Sequence, residues 1–165
     1  MLACPVVPAK LAAPEEIYVD RDHAVLWFPP LLVQVRRGPM TRRALDAIDR
    51  GLRERRGRSL RPGARVAAVP YLEDAAPVMN DDLRAEQRRV VHAMLEGLDV
   101  RLAPVIGGHG VSAMLQRTLV RGISFADRRV RVASSAEEAA AWVAPHLDVP
   151  AAEVVEAVKL ARERR

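Results

Sequence analysis

Two hydrophobic rhythms divide the chain. Ile17-Tyr18-Val19 and Ala24-Val25-Leu26-Trp27-Phe28 are short β-prone runs separated by the polar, turn-forming Asp20-Arg21-Asp22-His23, and together they predict a β-hairpin. Pro29 and Pro30 end the second strand or push it to a sheet edge, and residues 31–35 resume extended chain. After the break at Gly38-Pro39 the spacing of apolar positions lengthens. Ala44, Leu45, Ile48 and Leu52 mark the inward face of a helix capped by Thr41 that runs to about residue 56.

The same alternation of period continues downstream. Val66-Ala67-Ala68-Val69 reads as a strand buried on both faces. A connection over residues 70–77 carries Tyr71, Glu73 and Asp74. Asn80 or Asp81 then caps a second helix of about residues 82–98, with Leu83, Gln87, Val90, Val91, Met94, Leu95 and Leu98 as its apolar stripe and Gly97 near its end. Residues 100–122 form the unit around which the chain is organised: an apolar strand to Ile106, a glycine turn at Gly107, Gly108, His109 and Gly110, and a helix with Val111, Met114, Leu115, Thr118 and Leu119 on one face. A short strand at Val130-Arg131-Val132 follows. Ser134 with Glu137 three residues on predicts a capping box for a helix ending near Leu147. Asp148 is expected to cap a last helix, with Pro150 in its first turn and Val154, Val155, Val158 and Ala161 inward.

Crossovers through helices force parallel pairing and a hairpin forces antiparallel pairing. The expected architecture is therefore α/β. It is a single domain with a mixed four- to five-stranded sheet opening with a β-hairpin, helices mainly on one face, and an extra C-terminal helix. Residues 1–14 read as a flexible lead, 15–147 as the α/β domain and 148–165 as a C-terminal helix that serves as an appendage or in self-association.

Composition narrows the picture. A chain of 165 residues, half of them apolar, suits one domain with a real core. Aromatics are only 4%, so that core must rest on Val, Leu, Ile, Ala and Met. The single Cys4 excludes an internal disulfide framework and fits a cytoplasmic protein. No apolar run approaches the roughly 18 residues that span a bilayer. Pro5 and Pro8 break the apolar N-terminal stretch, which has no basic residue ahead of it, so it does not read as a signal peptide. The net charge of +5 rests on 24 arginines against 2 lysines, a ratio that reflects a genome rich in G and C more than selection for a polyanion.

Candidate chemistry is sparse. Backbone N–H groups at a glycine turn before a helix make an anion site, so Gly107, Gly108, His109, Gly110 and Ser112 form a candidate site for a small phosphorylated ligand, a nucleotide or a lipid headgroup. The turn has neither the Rossmann spacing nor the Lys-Ser/Thr of a P-loop, and Met114 spoils a nucleophile elbow at Ser112. His23, His92, His109 and His146 share no metal-ligand spacing and Cys4 has no partner, so no metal and no cofactor are expected. Glu73, Asp74, Asp81 and Asp82 could hold Mg²⁺, but the last two are better explained as acids at a helix start. Residues 36–65 hold eleven Arg and three acids, which makes Arg42, Arg43, Arg50 and Arg53 a candidate polyanion face. With no coherent catalytic set, the expected activity is binding rather than catalysis.

The order of elements resembles the STAS family of bacterial anti-sigma-factor antagonists. The resemblance spans about residues 16–147. It rests on the hairpin at 17–28, the Gly38-Pro39-Met40-Thr41 helix entry, Asp82-Leu83-Arg84-Ala85-Glu86-Gln87-Arg88, the helix end at 116–122 and the closing strand and helix at 130–142. It implies a non-enzymatic regulatory or scaffolding module that binds a partner protein in bacterial signalling. In regulatory members a Ser or Thr at the start of one helix is phosphorylated. The matching positions here, Met79, Asn80, Asp81, Asp82 and Arg84, carry no hydroxyl, so they are expected to form a permanently charged partner-binding surface. A partner protein or self-association is expected, and small molecules, nucleic acid and a membrane span are disfavoured.

Overall fold

In the computed structural model, which describes residues 10–73, 76–108, 114, 117 and 127–165, six strands build one mixed sheet. They are β1 (Glu15–Val19), β2 (His23–Phe28), β3 (Leu31–Arg36), β4 (Arg65–Leu72), β5 (Asp99–Leu102) and β6 (Val105–Ile106). β1, β2 and β3 form an antiparallel meander. β4 lies parallel to β3, and β5 and β6 follow one another along the far side of β4. Six segments thus fill five positions. Beyond them, Val130 and Ala133 bridge in parallel to Leu102 and Val105, so the 130–133 segment extends the sheet by short ladder contacts. The opening hairpin is as its pattern predicts. β2, however, lies between β1 and β3 rather than at an edge, because Pro29 and Pro30 occupy the turn between β2 and β3 and cost the ladder nothing.

β4 runs three residues past the expected end, through Pro70 to Leu72. A proline is normally excluded from a central strand because it cannot donate to the ladder. Here Ala68 pairs with Leu102 and Tyr71 with Val105, which places Pro70 level with the gap at Ala103-Pro104. The proline falls where the β4–β5/β6 ladder is already interrupted.

Among the described residues four helices cover the sheet: α1 (Arg42–Ser59), α2 (Asp81–Leu95), α3 (Ala136–Leu147) and α4 (Ala151–Glu163). They divide between its two faces rather than lying mainly on one. Val25, Trp27, Leu32, Val66, Ala68 and Val100 point to α1 and α2 and pack with Ala44, Leu45, Ile48, Leu52 and Val90. Their strand neighbours Ala24, Leu26, Val33, Val35, Ala67 and Val69 point to α3 and α4 and pack with Ala139, Val143, Val154 and Val158. The cause is in the strands. Every residue of β2 is buried, so both sheet faces need a cover. Two consecutive parallel crossovers of the usual right hand deliver α1 and α2 to the same face, and α3 and α4 close the other.

Capping sets the helix ends. Thr41 accepts from the Ala44 N–H at 3.1 Å and opens α1. Gly97, at φ +74°, terminates α2 after Glu96. Ser135, not Ser134, caps α3, accepting from the Glu138 N–H at 3.2 Å, while the Glu138 carboxylate accepts from the Ser134 N–H and hydroxyl at 2.8 Å. The capping box is thus shifted by one residue. Asp148 does not cap the last helix. It ends α3 in the left-handed conformation (φ 58°), and Pro150 stands at the N-cap of α4, because Asp tolerates both roles.

The β1–β2 turn meets the exit of β3 closely. A methyl group on Gly38 would sit 2.4 Å from Asp22 Oδ1 and 2.9 Å from its Cβ. Rotating the side chain cannot relieve the Cβ contact, and the Asp22 backbone is tied by its carbonyl to the Arg37 N–H at 2.8 Å. Gly38→Ala should therefore cost about 1–3 kcal/mol, read as a lower urea midpoint at unchanged m-value.

Candidate functional site

The ends of the parallel strands are level. Arg36 of β3 pairs with Leu72 of β4, Leu72 with Ile106 of β6, and Val105 bridges to Ala133. From this edge the chain runs on towards a helix each time: α1, α2, the helical Met114 and Arg117, and α3. In an open α/β sheet this carboxyl edge is where helix starts gather and where ligands bind. The three separate groups proposed from sequence reach this one edge, at least in part.

The first group lies at the start of α2. Asn80 caps the helix through Oδ1, which accepts from the Leu83 N–H at 2.9 Å. Asp81 and Asp82 occupy the first turn, where the helix dipole favours them. Arg84 is half-buried and held by the Met79 carbonyl at 2.7 Å and by Asp81 at 3.0 Å. Val78 stands exposed beside half-buried Met79 and Leu83.

Of the second group, Gly107 and Gly108 follow β6 directly. Gly108 adopts φ +82°, a backbone that suits glycine, and its carbonyl accepts from the Arg117 guanidinium. His109, Gly110 and Ser112 lie outside the described residues.

The third group divides. Arg42 reaches Glu86 at 3.4 Å and Arg53 chelates Asp49 at 2.8 Å, so both carry local acidic partners. Arg43 and Arg50 are exposed and make no ion pair among the described residues. Arg53 also lines a hollow of about 160 Å³ between α1 and α2, with Asp49, Leu52, Arg56, Val90 and Ala93. Arg56 is committed there to the carbonyls of Ala93 and Glu96.

A fourth constellation, not singled out from the sequence, occupies the start of β2 and the end of β3. Asp20 gathers four donors: the Tyr18 hydroxyl at 2.6 Å, the Asp22 and His23 N–H groups at 2.8 and 2.7 Å, and His23 Nδ1 at 3.0 Å. Burial pushes the Asp20 pKa up, but these hydrogen bonds outweigh it and hold the carboxyl below its ordinary value. The hydrogen bond to Asp20, with burial and the Asp20 charge, pushes the Tyr18 hydroxyl up, against the opposing charge of Arg43. His23 is 1% exposed and pairs across the ladder with Arg36, which is 6% exposed. His23 Nε2 and Arg36 Nη1 are both buried without a hydrogen-bond partner. Burial alone pulls the Arg36 guanidinium down. The signal in sequence was a polar hairpin turn and an arginine ending an apolar strand, and only the register brings them together.

Arg37, next in the chain, is spent differently. Its guanidinium donates to the Arg162 carbonyl at 2.6 Å and lies 3.8 Å from Glu73, so it closes the carboxyl end of α4. Arg162 stacks over Tyr71 at 4.5 Å. Among the described residues no group of three or more His, Cys, Asp or Glu could hold a metal ion, and no helix is long and apolar enough to cross a membrane.

No protein-family model, no curated protein and no solved structure matches the chain.

Proposed function

We propose that the protein is a regulatory or scaffolding module that binds a partner protein, in the manner its STAS-like pattern suggests, through the start of α2 and the connection before it. The observation that carries this reading is the incomplete cover of α2. Its apolar stripe is long, yet among the residues of described burial on it Val90 is buried while Leu83 and Val91 stay half-buried. Exposed Val78 stands in the connection just before the helix, and the acidic Asp81 and Asp82 open its first turn. An apolar strip with a charged rim is how a protein-docking surface is built. The helix start carries acids in place of a phosphorylatable hydroxyl, so binding here is constitutive.

The test uses the full chain as bait, with Val78→Asp and Asp81→Arg as variants. The Val78 side chain is exposed, so Val78→Asp should melt within about 2 °C of wild type, and Asp81→Arg, which puts a cation at the helix start and removes the contact with Arg84, should melt a few degrees lower. A protein retained by wild type should lose affinity by about 10-fold or more with each variant. Retention of every captured protein by both variants sinks the reading.

A further inference from the structure

We propose that the end of β3 and the start of β2, on the side of the sheet where α1 begins, bind a phosphate oxyanion, with Arg36 as the charged donor and His23 Nε2 as the acceptor of the phosphate's proton. The site is distinct from the partner surface on α2.

Three observations converge. First, among the described residues Arg36 is a buried cation without a counter-charge. It is 6% exposed, its Nη1 has no hydrogen-bond partner, and no described carboxylate forms an ion pair with it. A buried charge is ordinarily paired, because desolvation is otherwise uncompensated. The neighbouring Arg37 also leaves its Nη1 unpartnered, but its guanidinium has two α4 carbonyls and Glu73 around it.

Second, His23 is opposite Arg36 in the antiparallel ladder. Directly opposed residues project on the same side of a sheet, with Cβ atoms about 5 Å apart. That side is the α1 side, since Val25 two residues on from His23 and Leu32 four residues before Arg36 both pack in the α1/α2 core. The Asp20 carboxylate can only accept, so His23 Nδ1 must be the donor in their 3.0 Å contact. On a ring that carries this one proton Nε2 is an acceptor, and it is buried and unpartnered. An acceptor beside a guanidinium matches an anion that itself carries a proton. Hydrogen phosphate and dihydrogen phosphate do so near neutral pH, and sulfate does not.

Third, the helix start that follows Arg36 is basic, although Asp20 and Asp22 of the adjoining turn are acidic. The chain leaves Arg36 through Gly38 and enters α1, an 18-residue helix with no acid in its first turn. Arg42, paired with Glu86, and Arg43, which makes no ion pair among the described residues, stand there instead, where the helix dipole disfavours cations unless an anion is present. Arg43 acts electrostatically on Tyr18, which itself binds Asp20, so this arginine belongs to the same constellation.

Thermal unfolding of the full chain at pH 7 tests the assignment, with sodium chloride matched for ionic strength as the reference. At 10 mM inorganic phosphate, a dissociation constant of about 1 mM would raise the melting temperature by about 3–5 °C. Glycerol phosphate in a parallel arm separates the two sources: a larger shift assigns the site to a phosphate ester, an equal or smaller one to free phosphate. Arg36→Met, which removes the buried charge and keeps the bulk, should melt higher than wild type in chloride and show no phosphate shift. Arg43→Gln, at an exposed position, should fold normally and lose affinity several-fold, which keeps the test open if the Arg36 variant fails to fold. Absence of a phosphate shift beyond the chloride reference, or an undiminished shift in Arg36→Met or Arg43→Gln, overturns the proposal. Equal shifts from sulfate and phosphate overturn the part given to His23.

Discussion

Val154→Asp should lower the unfolding free energy by about 4–5 kcal/mol and shift a single cooperative transition, rather than detach one helix from an intact domain. Val154 is fully buried in the core that α3 and α4 form on the sheet, together with Ala157, Val158 and Ala161 from the same helix and Leu26, Val33 and Val35 from β2 and β3. The substitution removes a well-packed aliphatic group and places a carboxyl where nothing is positioned to donate to it. It also uncovers strands whose every second residue faces that helix. For a domain whose whole stability is about 5–15 kcal/mol, the change should lower the melting temperature by about 10 °C or more. Glu156→Ala, on the exposed side of α4, serves as the reference and should change stability by no more than about 0.5 kcal/mol. Circular dichroism on urea unfolding reads both. A helix that was merely appended would leave the main transition where it is and lose only its own share of ellipticity.

The strength of that expectation shows which parts of the fold are readable along a chain. Ala44, Leu45, Ile48 and Leu52 repeat at helical spacing, and all four are buried under α1, because one helix face meets one sheet face. The unbroken apolar run at residues 66–69 signals a strand buried on both sides, which it is, and residues 24–28 prove to be another. That same fact requires helices on both faces, but local pattern cannot say which helix goes where. The division follows from the hand of the crossovers and from the return of the chain after Ala133, both properties of the whole path. Pro70 reads as the start of a connection, yet it continues β4 without harm opposite a gap contributed by a different strand. Asp148 carries a preference for two local conformations, and the neighbours on α3 decide between them.

The candidate sites divide along the same line. Residues 79–84 stand out in sequence because a helix start has a local signature, and Asn80 forms the cap that signature implies. Arg42 and Arg53 looked equivalent to Arg43 and Arg50 in a run of arginines, but Glu86 and Asp49 neutralise the first two. Nothing local distinguishes Arg36 from Arg37. The alternation of the strand sends one into the α1 side beside His23 and the other to the end of α4. Pairing of that kind is set by register, and register is the least local property of a sheet.

The constellation at the hairpin turn carries the second large effect. Asp20→Ala should destabilise the protein by about 3 kcal/mol, although the carboxylate sits in a surface turn and is not itself part of the hydrophobic core. Asp20 accepts two backbone N–H bonds that shape the turn and two side-chain bonds that orient Tyr18 and His23. Its removal leaves the His23 Nδ1–H without an acceptor on a ring that is 1% exposed, and a buried unsatisfied donor costs about 1–3 kcal/mol by itself. The lost turn bonds add to this. Asp20→Asn retains one acceptor oxygen and should lose about half as much. The dependence on pH has a definite sign. The folded carboxyl titrates below its ordinary value, so its contribution is complete above the unfolded value of about 4. It fades as the pH falls through the lower folded value, and raising the pH beyond neutrality adds nothing. Wild type should therefore lose stability over that acidic interval more steeply than Asp20→Ala, and the two curves should converge towards low pH. Parallel curves for wild type and variant between pH 7 and pH 3 would show that the carboxylate is not the group holding the hairpin.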